Sequence, residues 1–564
     1  MKSMSNEKNV GIGEYVKSIF KDRKFKYISF FWIVMSIQFV IGSNLQVRKN
    51  SIINVGGSLL KIIYLSILFV IINYCFLELY NKIKEKRLKE NIKNNEEEKN
   101  EKLEKYKMLI YFAIIILCWI PTLLAFYPCI VSYDGGFQIM DYVFERKINL
   151  GHPIITTFLY SFFYSFGVSY LNSPITGMFL FSIFQMTLMA LIFSYAVKFI
   201  EDETGKKALR NISIFIYGIF PYNQLFSIIT TKDVLFAGFT LLFIICLYKM
   251  LKYKYKIQDY IVFIGISVMM LTFRANAVYA FLVLIPIAIL IFINNKKQLG
   301  KFLVITVISI IMCQCFNNLM LNLVNEKSEG NDIWMLTFSQ ATGKIVNERK
   351  NELSDYDKEK ISYYFGNYEE IGKRYIPYIG DPAFKLAEKN VINANKKEFL
   401  NFMIQLIKKY PRELIDSYLN TVRGYWYVLD DSFGKIRIRK YKDKMGILEL
   451  YCLPVGIDEY KIQEKSKIPM LKTWYLNMFC QNQILKIPVL RILFQPATYF
   501  YILFAYVLYA LYKKFKVRLL IGIYLFLYFL TCFTAPCAII RYIYAIIVSV
   551  PVICCFVVKN NEIK

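Results

Sequence analysis

Two residues able to move protons stand in one stretch, 127–153: Asp134, directly before a Gly-Gly pair, and His152, the only histidine in the chain. The glycines let backbone approach a ligand closely. Asp134 fits a general base, a metal ligand or the cap of the helix that follows it. His152, before Pro153, fits a hydrogen bond to a phosphate or sugar hydroxyl, a proton relay, or a structural bond at the turn. Between them, Phe137, Met140, Val143 and Phe144 fall on one side and Gln138, Asp141 and Glu145 on the other, the pattern of a helix lying in a membrane surface. Further along, Thr231, Lys232 and Asp233 occupy a tight turn, Arg274 and Asn276 another, and Arg541 and Tyr542 a third. Lys232 offers a point charge for phosphate, with Asp233 as its fixing partner or as a metal ligand, or the two form a neutral ion pair with a Thr cap. Arg274 and Arg541 suit bidentate phosphate binding, or snorkel to anionic headgroups.

The elements that carry these residues are membrane spans. The 564 residues are 56% hydrophobic with a mean hydropathy of +0.38, and the apolar residues fall in blocks of bilayer length. Candidate spans cover 27–43, 58–79, 108–128, 174–199, 212–229, 234–251, 260–273, 277–293, 302–324, 491–512, 517–533 and 539–558, about twelve in all. The apolar run 154–170 reads as a juxtamembrane helix, because a further crossing would invert every later loop. The expected class is an all-α polytopic membrane protein with a mostly helical outer insert.

The net charge of +28 suggests nucleic acid at first sight. Much of the Lys/Arg excess lies in short loops between apolar blocks, where it sets topology, and nucleic acid is not an expected partner. The twelve cysteines are scattered, without metal-ligand spacing, and one histidine excludes a multi-histidine metal site. Residues 1–26 are basic and lead into an uncleaved first helix. Loop charges put both termini, the Lys/Glu-rich run 81–107, and loops 201–210, 252–256, 296–301 and 513–518 in the cytoplasm. The chain then divides into 1–107 (two spans and a charged cytoplasmic loop), 108–324 (a membrane module), 325–490 (a polar extracytoplasmic domain) and 491–564 (the last spans). Glu326, Glu329, Asp332, Asp430 and Asp431 of the insert read as solvated or capping acids. The topology uses Lys/Arg counts alone, yet it brings Asp134, His152, Lys232, Asp233, Arg274, Asn276, Arg541 and Tyr542 to one outer face. Charges beside the apolar layer are costly, so their one-sidedness marks a site.

A first large outer loop with an acid, two juxtamembrane helices, a His-Pro step, a Lys-Asp step before a span and a terminal Arg-Tyr step together resemble the GT-C superfamily of polyprenyl-phosphate-dependent glycosyltransferases. From about residue 108 the chain looks like an uncharacterised family of GT-C-like membrane proteins from low-GC Gram-positive bacteria. The stretches that carry this likeness are YPCIVSYDGGFQ, GHPIITTFLY, TTKDVLF, FRANA, KYPRELIDSYLNTVRGYWY and IIRYIYA. The resemblance implies that Asp134 is the base and that Lys232, Arg274 and Arg541 hold the lipid phosphate. Some superfamily members need a divalent cation, Mg or Mn, for which Asp134 and Asp233 are the candidate ligands. The chain departs from the commonest pattern in three ways: it has one acid rather than paired acids, two extra N-terminal spans, and Phe-Arg-Ala-Asn where Lys-Gly is usual. The expected reaction moves a sugar from a polyprenyl-phosphate donor to a cell-envelope glycan, lipid or protein acceptor, with inversion. The alternatives are a transporter or flippase of a lipid-linked or anionic precursor, and a scaffold whose insert binds a partner.

Overall fold

The computed structural model describes residues 23–48, 55–90, 101–324, 326–328, 332–432, 465–480 and 483–559. Expectations for residues 1–22, for 91–100 of the charged loop, for Glu329 and for 433–464 of the insert lie outside the described residues. Two long helices, α1 (Arg23–Arg48) and α2 (Val55–Glu90), open the fold as a hairpin, with Trp32 against Phe69 at 5.1 Å. On α2, Leu60, Tyr64 and Ile67 each expose more than half of their surface (69%, 65% and 56%), an apolar face suited to lipid rather than water.

The central bundle follows. Helix α3 (Glu101–Ala125) leads to the loop 126–153, where α4 (Tyr133–Ile139) continues into one π turn, Met140–Phe144. Next come α5 (Ile154–Leu171) and α6 (Pro174–Thr204). Asn172 in the left-handed conformation ends α5, and the Ser173 hydroxyl accepts the Thr176 N–H to start α6. The helices α7 (Lys207–Ile219), α8 (Pro221–Phe226), α9 (Lys232–Lys252), α10 (Ile257–Phe273), α11 (Asn276–Phe292) and α12 (Lys296–Asn322) complete this half. Two three-residue strands, β1 (Lys147–Asn149) and β2 (Glu326–Ser328), pair in parallel and tie the loop 126–153 to the start of the insert.

The insert builds its own apolar core from α13 (Met335–Arg349), α14 (Asp355–Phe365), α15 (Tyr368–Arg374), α16 (Asp381–Phe384), α17 (Lys389–Ala394) and α18 (Lys396–Lys409), with Ile345, Ile361, Tyr364, Phe399 and Met403 fully enclosed. Then α19 (Pro411–Thr421) and α20 (Arg423–Trp426) lead back to the bundle. The chain ends with α21 (Pro469–Tyr475), α22 (Pro488–Leu493), α23 (Pro496–Lys513), α24 (Lys516–Thr531) and α25 (Tyr544–Val558).

Among the described residues, nine helices are long and apolar enough to cross a membrane. The expected run 212–229 is not one helix. Phe220 is extended and Pro221 starts a new turn, because proline cannot continue the hydrogen-bond ladder of α7. The same residue type at Pro496 splits 491–512 into α22 and α23. The run 154–170, read as juxtamembrane, forms the 18-residue helix α5, which has the length and composition of a span. Its neighbours qualify that likeness. Tyr160 and Phe163 pack on Phe181, Phe163 also packs on Phe184, and Gly167 lies against Gly177 with no room for a Cβ on either. All of these contacts precede Gln185, whose amide donates to the carbonyls of Phe226, Ser227 and Ile229 at 2.9–3.2 Å. Helix α5 therefore flanks the part of α6 that lies beyond this carbonyl layer.

At the other ends of α3, α6 and α9, Glu201 takes Lys107 at 3.0 Å and Arg210 at 3.1 Å, and Glu203 takes Lys252 at 3.1 Å, the Tyr253 hydroxyl at 2.6 Å, and Lys559. Loops that charge counting assigns to one side thus gather at one end of the bundle.

Candidate functional site

The site begins as a backbone splice. Ile130 N–H donates to the Ile228 carbonyl and the Ile130 carbonyl accepts from Thr230 N–H, both at 3.0 Å, so the loop 126–153 runs parallel to the turn before α9. Ser132 N–H then donates to the Thr230 hydroxyl at 2.9 Å, and its own hydroxyl donates to the Thr230 carbonyl. That hydroxyl also accepts the Gly135 N–H at 3.1 Å. Ser132, not Asp134, is therefore the cap of α4, which leaves the Asp134 carboxylate available for other partners in the first turn. A Cβ on Gly135 would overlap the Thr230 hydroxyl and carbonyl, so this glycine is required for close approach. The amphipathic reading of this segment needs correction at Gln138. That residue is buried, accepting from the Thr156 and Thr157 hydroxyls at 2.6 and 3.0 Å and donating to the Asp134 carbonyl, while Phe144 is exposed.

The charges converge on this splice from three further elements. Arg541, on the short turn before α25, donates to Asp134 at 2.7 Å and to the Thr231 hydroxyl at 3.4 Å, and lies 3.8 Å from Asp233. Arg274, at the end of α10, pairs with the other Asp233 oxygen. Thr231 donates to Asp233 at 3.2 Å. The Tyr542 ring lies beneath both guanidinium groups, 4.8 Å from Arg274 and 5.0 Å from Arg541. The Tyr528 hydroxyl holds the Tyr542 carbonyl at 2.6 Å. Asp233 is 1% exposed, so its two cations are part of one buried network.

Lys232 stands at the first position of α9 and makes no hydrogen bond or ion pair among the described residues. Asn276 opens α11 and makes no side-chain hydrogen bond among them. His152 N–H donates to the Asn149 carbonyl at 3.1 Å, while its Nδ1 is buried and has no hydrogen-bond partner among the described residues. The charges of Lys232, Asp134 and Arg541 all act on it, so seven of the eight residues singled out in the sequence share this one electrostatic neighbourhood; Asn276 makes none of these contacts among the described residues.

Burial would raise the Asp134 carboxyl, but Arg541, Lys232 and His152 outweigh it and hold the group well below the usual carboxylate range. Asp134 is thus ionised at neutral pH and, while paired, a weak proton acceptor. Burial first, and then the Lys232 charge, lower His152 to about 4 against the opposing pull of Asp134. The folded protein therefore refuses a proton that the unfolded chain takes up near 6.5. The resulting stability is fully present above that value and is lost as pH falls from 6.5 towards 4. The imidazole signal of this sole histidine is expected to titrate near 4 in a pH series by NMR. An ordinary value near 6.5 would show that His152 faces water.

The Asp134 and Asp233 carboxylates both face the Arg541 guanidinium, and no group of three or more His, Cys, Asp or Glu able to hold a metal occurs among the described residues.

Sequence reasoning missed two features. Asp430, read as solvated or capping, is not solvated, although its carboxylate does accept the nearby Ser432 N–H at 3.2 Å. It is fully buried, paired with Arg423 at 2.5 Å, and its carbonyl accepts from Gln495 at 2.8 Å, which locks the end of the insert to the last spans. The second is Asp381 of the insert, the first residue of α16. It lies close enough for the charges of Asp134 and Arg541 to act on it.

Fold and site together define a helical, membrane-embedded protein with a charged polar cluster at one rim of its bundle. The chain belongs to the family described as "Family of unknown function (DUF6020)", which matches residues 145–564. No curated protein and no solved structure matches the chain.

Proposed function

We propose that this protein is a membrane glycosyltransferase that moves a sugar from a polyprenyl-phosphate donor to a cell-envelope acceptor at the outer face of the membrane. The observation that carries the reading is the convergence of Asp134, Lys232, Arg274 and Arg541, from four separate elements, on one rim. Asp134 and Asp233 pair with the two guanidinium groups and leave the Lys232 charge for a lipid phosphate. Lys232, with no pairing partner among the described residues, is the first cation a phosphate meets. Arg541 follows by exchanging Asp134 for phosphate oxygen. Tyr542 keeps both guanidinium planes oriented for this exchange. His152 is neutral at physiological pH and serves as a hydrogen-bonding group for a sugar hydroxyl or phosphate, through a nitrogen with no partner among the described residues.

In the reaction an acceptor hydroxyl attacks the anomeric carbon. The bond from that carbon to the phosphate oxygen breaks, and its electron pair leaves on the lipid phosphate, where the cations stabilise it. The hydroxyl proton passes to a carboxylate at the rim. No nucleotide site is needed.

Support against a transporter comes from the distribution of charge. Between Asp233 and Lys249, α9 carries no ionisable acid or base other than Cys246 and Tyr248, whereas transport sites place charges near mid-membrane. The test is sugar transfer from polyprenyl-phosphate donors by the full chain in vesicles, compared with Asp134→Asn at equal membrane levels. Transfer that disappears in the variant is expected. Absence of transfer by the wild type across the donor panel would remove the reading.

A further inference from the structure

We propose that Asp381, brought to the rim by the outer insert, is the carboxylate that accepts the acceptor's proton, while Asp134 serves to position Arg541. This rests on the sugar-transfer reading and deepens it.

The geometry begins in the backbone. Gly380 N–H donates to the Pro536 carbonyl at 2.7 Å, so the insert is fastened to the loop that leads into Arg541. Gly380 also packs directly on Leu336 of α13, and a Cβ there would press on the leucine side chain. The Tyr425 hydroxyl makes a second fastening. It donates to the Cys537 carbonyl at 3.4 Å and receives Ile539 N–H at 3.3 Å. These bonds fasten the chain along Pro536–Ile539 and fix where α16 begins. Asp381 is the first residue of that short helix and is half-buried, with no hydrogen bond or ion pair to its carboxylate among the described residues. Its charged neighbours are Lys385 on the next turn of its own segment, and Asp134 and Arg541 across the interface.

Of the three carboxylates at this rim, Asp134 and Asp381 are in opposite states. Asp134 is engaged by a guanidinium at 2.7 Å and has little affinity for a proton. Asp381 has no such partner. Burial raises its carboxyl, Lys385 opposes this, Asp134 adds to it, and the net shift is upward. Two acids pushed in opposite directions at one site mark a division of labour between proton transfer and charge stabilisation. The placement also suits the order of binding. The phosphate ligands lie on the bundle side, whereas Asp381 approaches from the insert, the side open to a water-borne or envelope-attached acceptor. The acceptor O–H gives its proton to Asp381, its oxygen bonds to the anomeric carbon, and the lipid phosphate departs with the electron pair of the broken bond. The proton then passes to solvent.

The experiment uses the full chain in vesicles with a panel of polyprenyl-phosphate-linked hexoses, and water and methyl hexosides as acceptors. Polyprenyl monophosphate alone is the binding probe. Asp381→Asn is expected to lower turnover by about 100-fold or more. Binding of polyprenyl monophosphate should change by less than about threefold, a margin well below one tenfold step of affinity. Asp381→Glu is expected to keep part of the turnover and to move the acidic limb of the kcat profile. Full turnover in Asp381→Asn, with the wild type active, overturns this inference and leaves the transfer reading standing. Loss of phosphate binding in Asp381→Asn together with an unmoved acidic limb in Asp381→Glu shows a structural role and also overturns it. A wild type inactive on the whole panel fails the transfer reading itself.

Discussion

Arg541→Ala is expected to abolish sugar transfer, with a loss of about 10²–10³-fold or more in kcat, the range found when one preorganised group that stabilises developing charge is removed. No other side chain at the site does what Arg541 does. It ties Asp134 to Thr231 and approaches Asp233, and so joins the loop 126–153, the turn before α9 and the turn before α25. Removing it also releases the Asp134 carboxyl from the interaction that most lowers it. Burial then acts against Lys232 and His152 alone, and the group moves upward. The sign for stability follows. The pair with Arg541 contributes above the usual carboxylate range and is lost as pH falls through the depressed value. The variant should therefore lose stability at neutral pH and gain little on acidification, whereas the wild type weakens in acid. Arg541→Lys keeps the charge but not the fork geometry, and partial activity is expected of it. Binding of polyprenyl monophosphate to vesicle-embedded protein checks the first half of this account. Unchanged binding and unchanged turnover in Arg541→Ala would remove the residue from the site.

The second large effect concerns folding. Asp233→Asn leaves Arg274 buried beneath Tyr528 and Tyr542 with its carboxylate partner neutralised. Breaking a buried ion pair from one side costs about 3–5 kcal/mol, whereas replacing both partners by apolar groups of similar volume is often neutral. The single variant is expected to show a much lower Tm in detergent and reduced membrane levels. The double variant Asp233→Leu/Arg274→Met is expected to recover most of the Tm while remaining inactive. A double variant no more stable than the single one would mean that the pair is not the source of the effect. The comparison also separates a stability role from a phosphate role for Arg274, because only the second predicts inactivity in a protein that folds.

Much of the site was legible because charge beside hydrocarbon is expensive. Asp134, Lys232, Asp233, Arg274 and Arg541 stand out as ionisable residues bordering apolar runs, and the same loop charges sort them to one face. What holds them in place was not legible. Ser132 and Thr230 are ordinary polar residues in sequence, and their role depends on a parallel splice between segments about a hundred positions apart. Gln138 reads as a surface residue by periodicity, but two threonine hydroxyls on α5 satisfy its carbonyl and draw it inward. Asp430 and Asp381 look like insert acids because nothing local signals that Arg423 waits for the first or that Gly380 docks the second on Pro536. The break at Pro221 was open to a reader of the sequence, since proline cannot sit inside a ladder. Hydropathy averaged over a window conceals it. For α5, length and composition match a crossing, whereas its packing beside the first turns of α6 belongs to tertiary structure and leaves no trace in its own residues.

The most direct test of the central claim is sugar transfer by the full chain in vesicles, supplied with polyprenyl-phosphate-linked hexoses, with Asp134→Asn at matched membrane levels beside it. The account predicts release of polyprenyl phosphate and appearance of a new glycoside with the wild type, and loss of both in the variant. Intact donor after prolonged incubation with correctly inserted wild-type protein, across the donor panel, would contradict it.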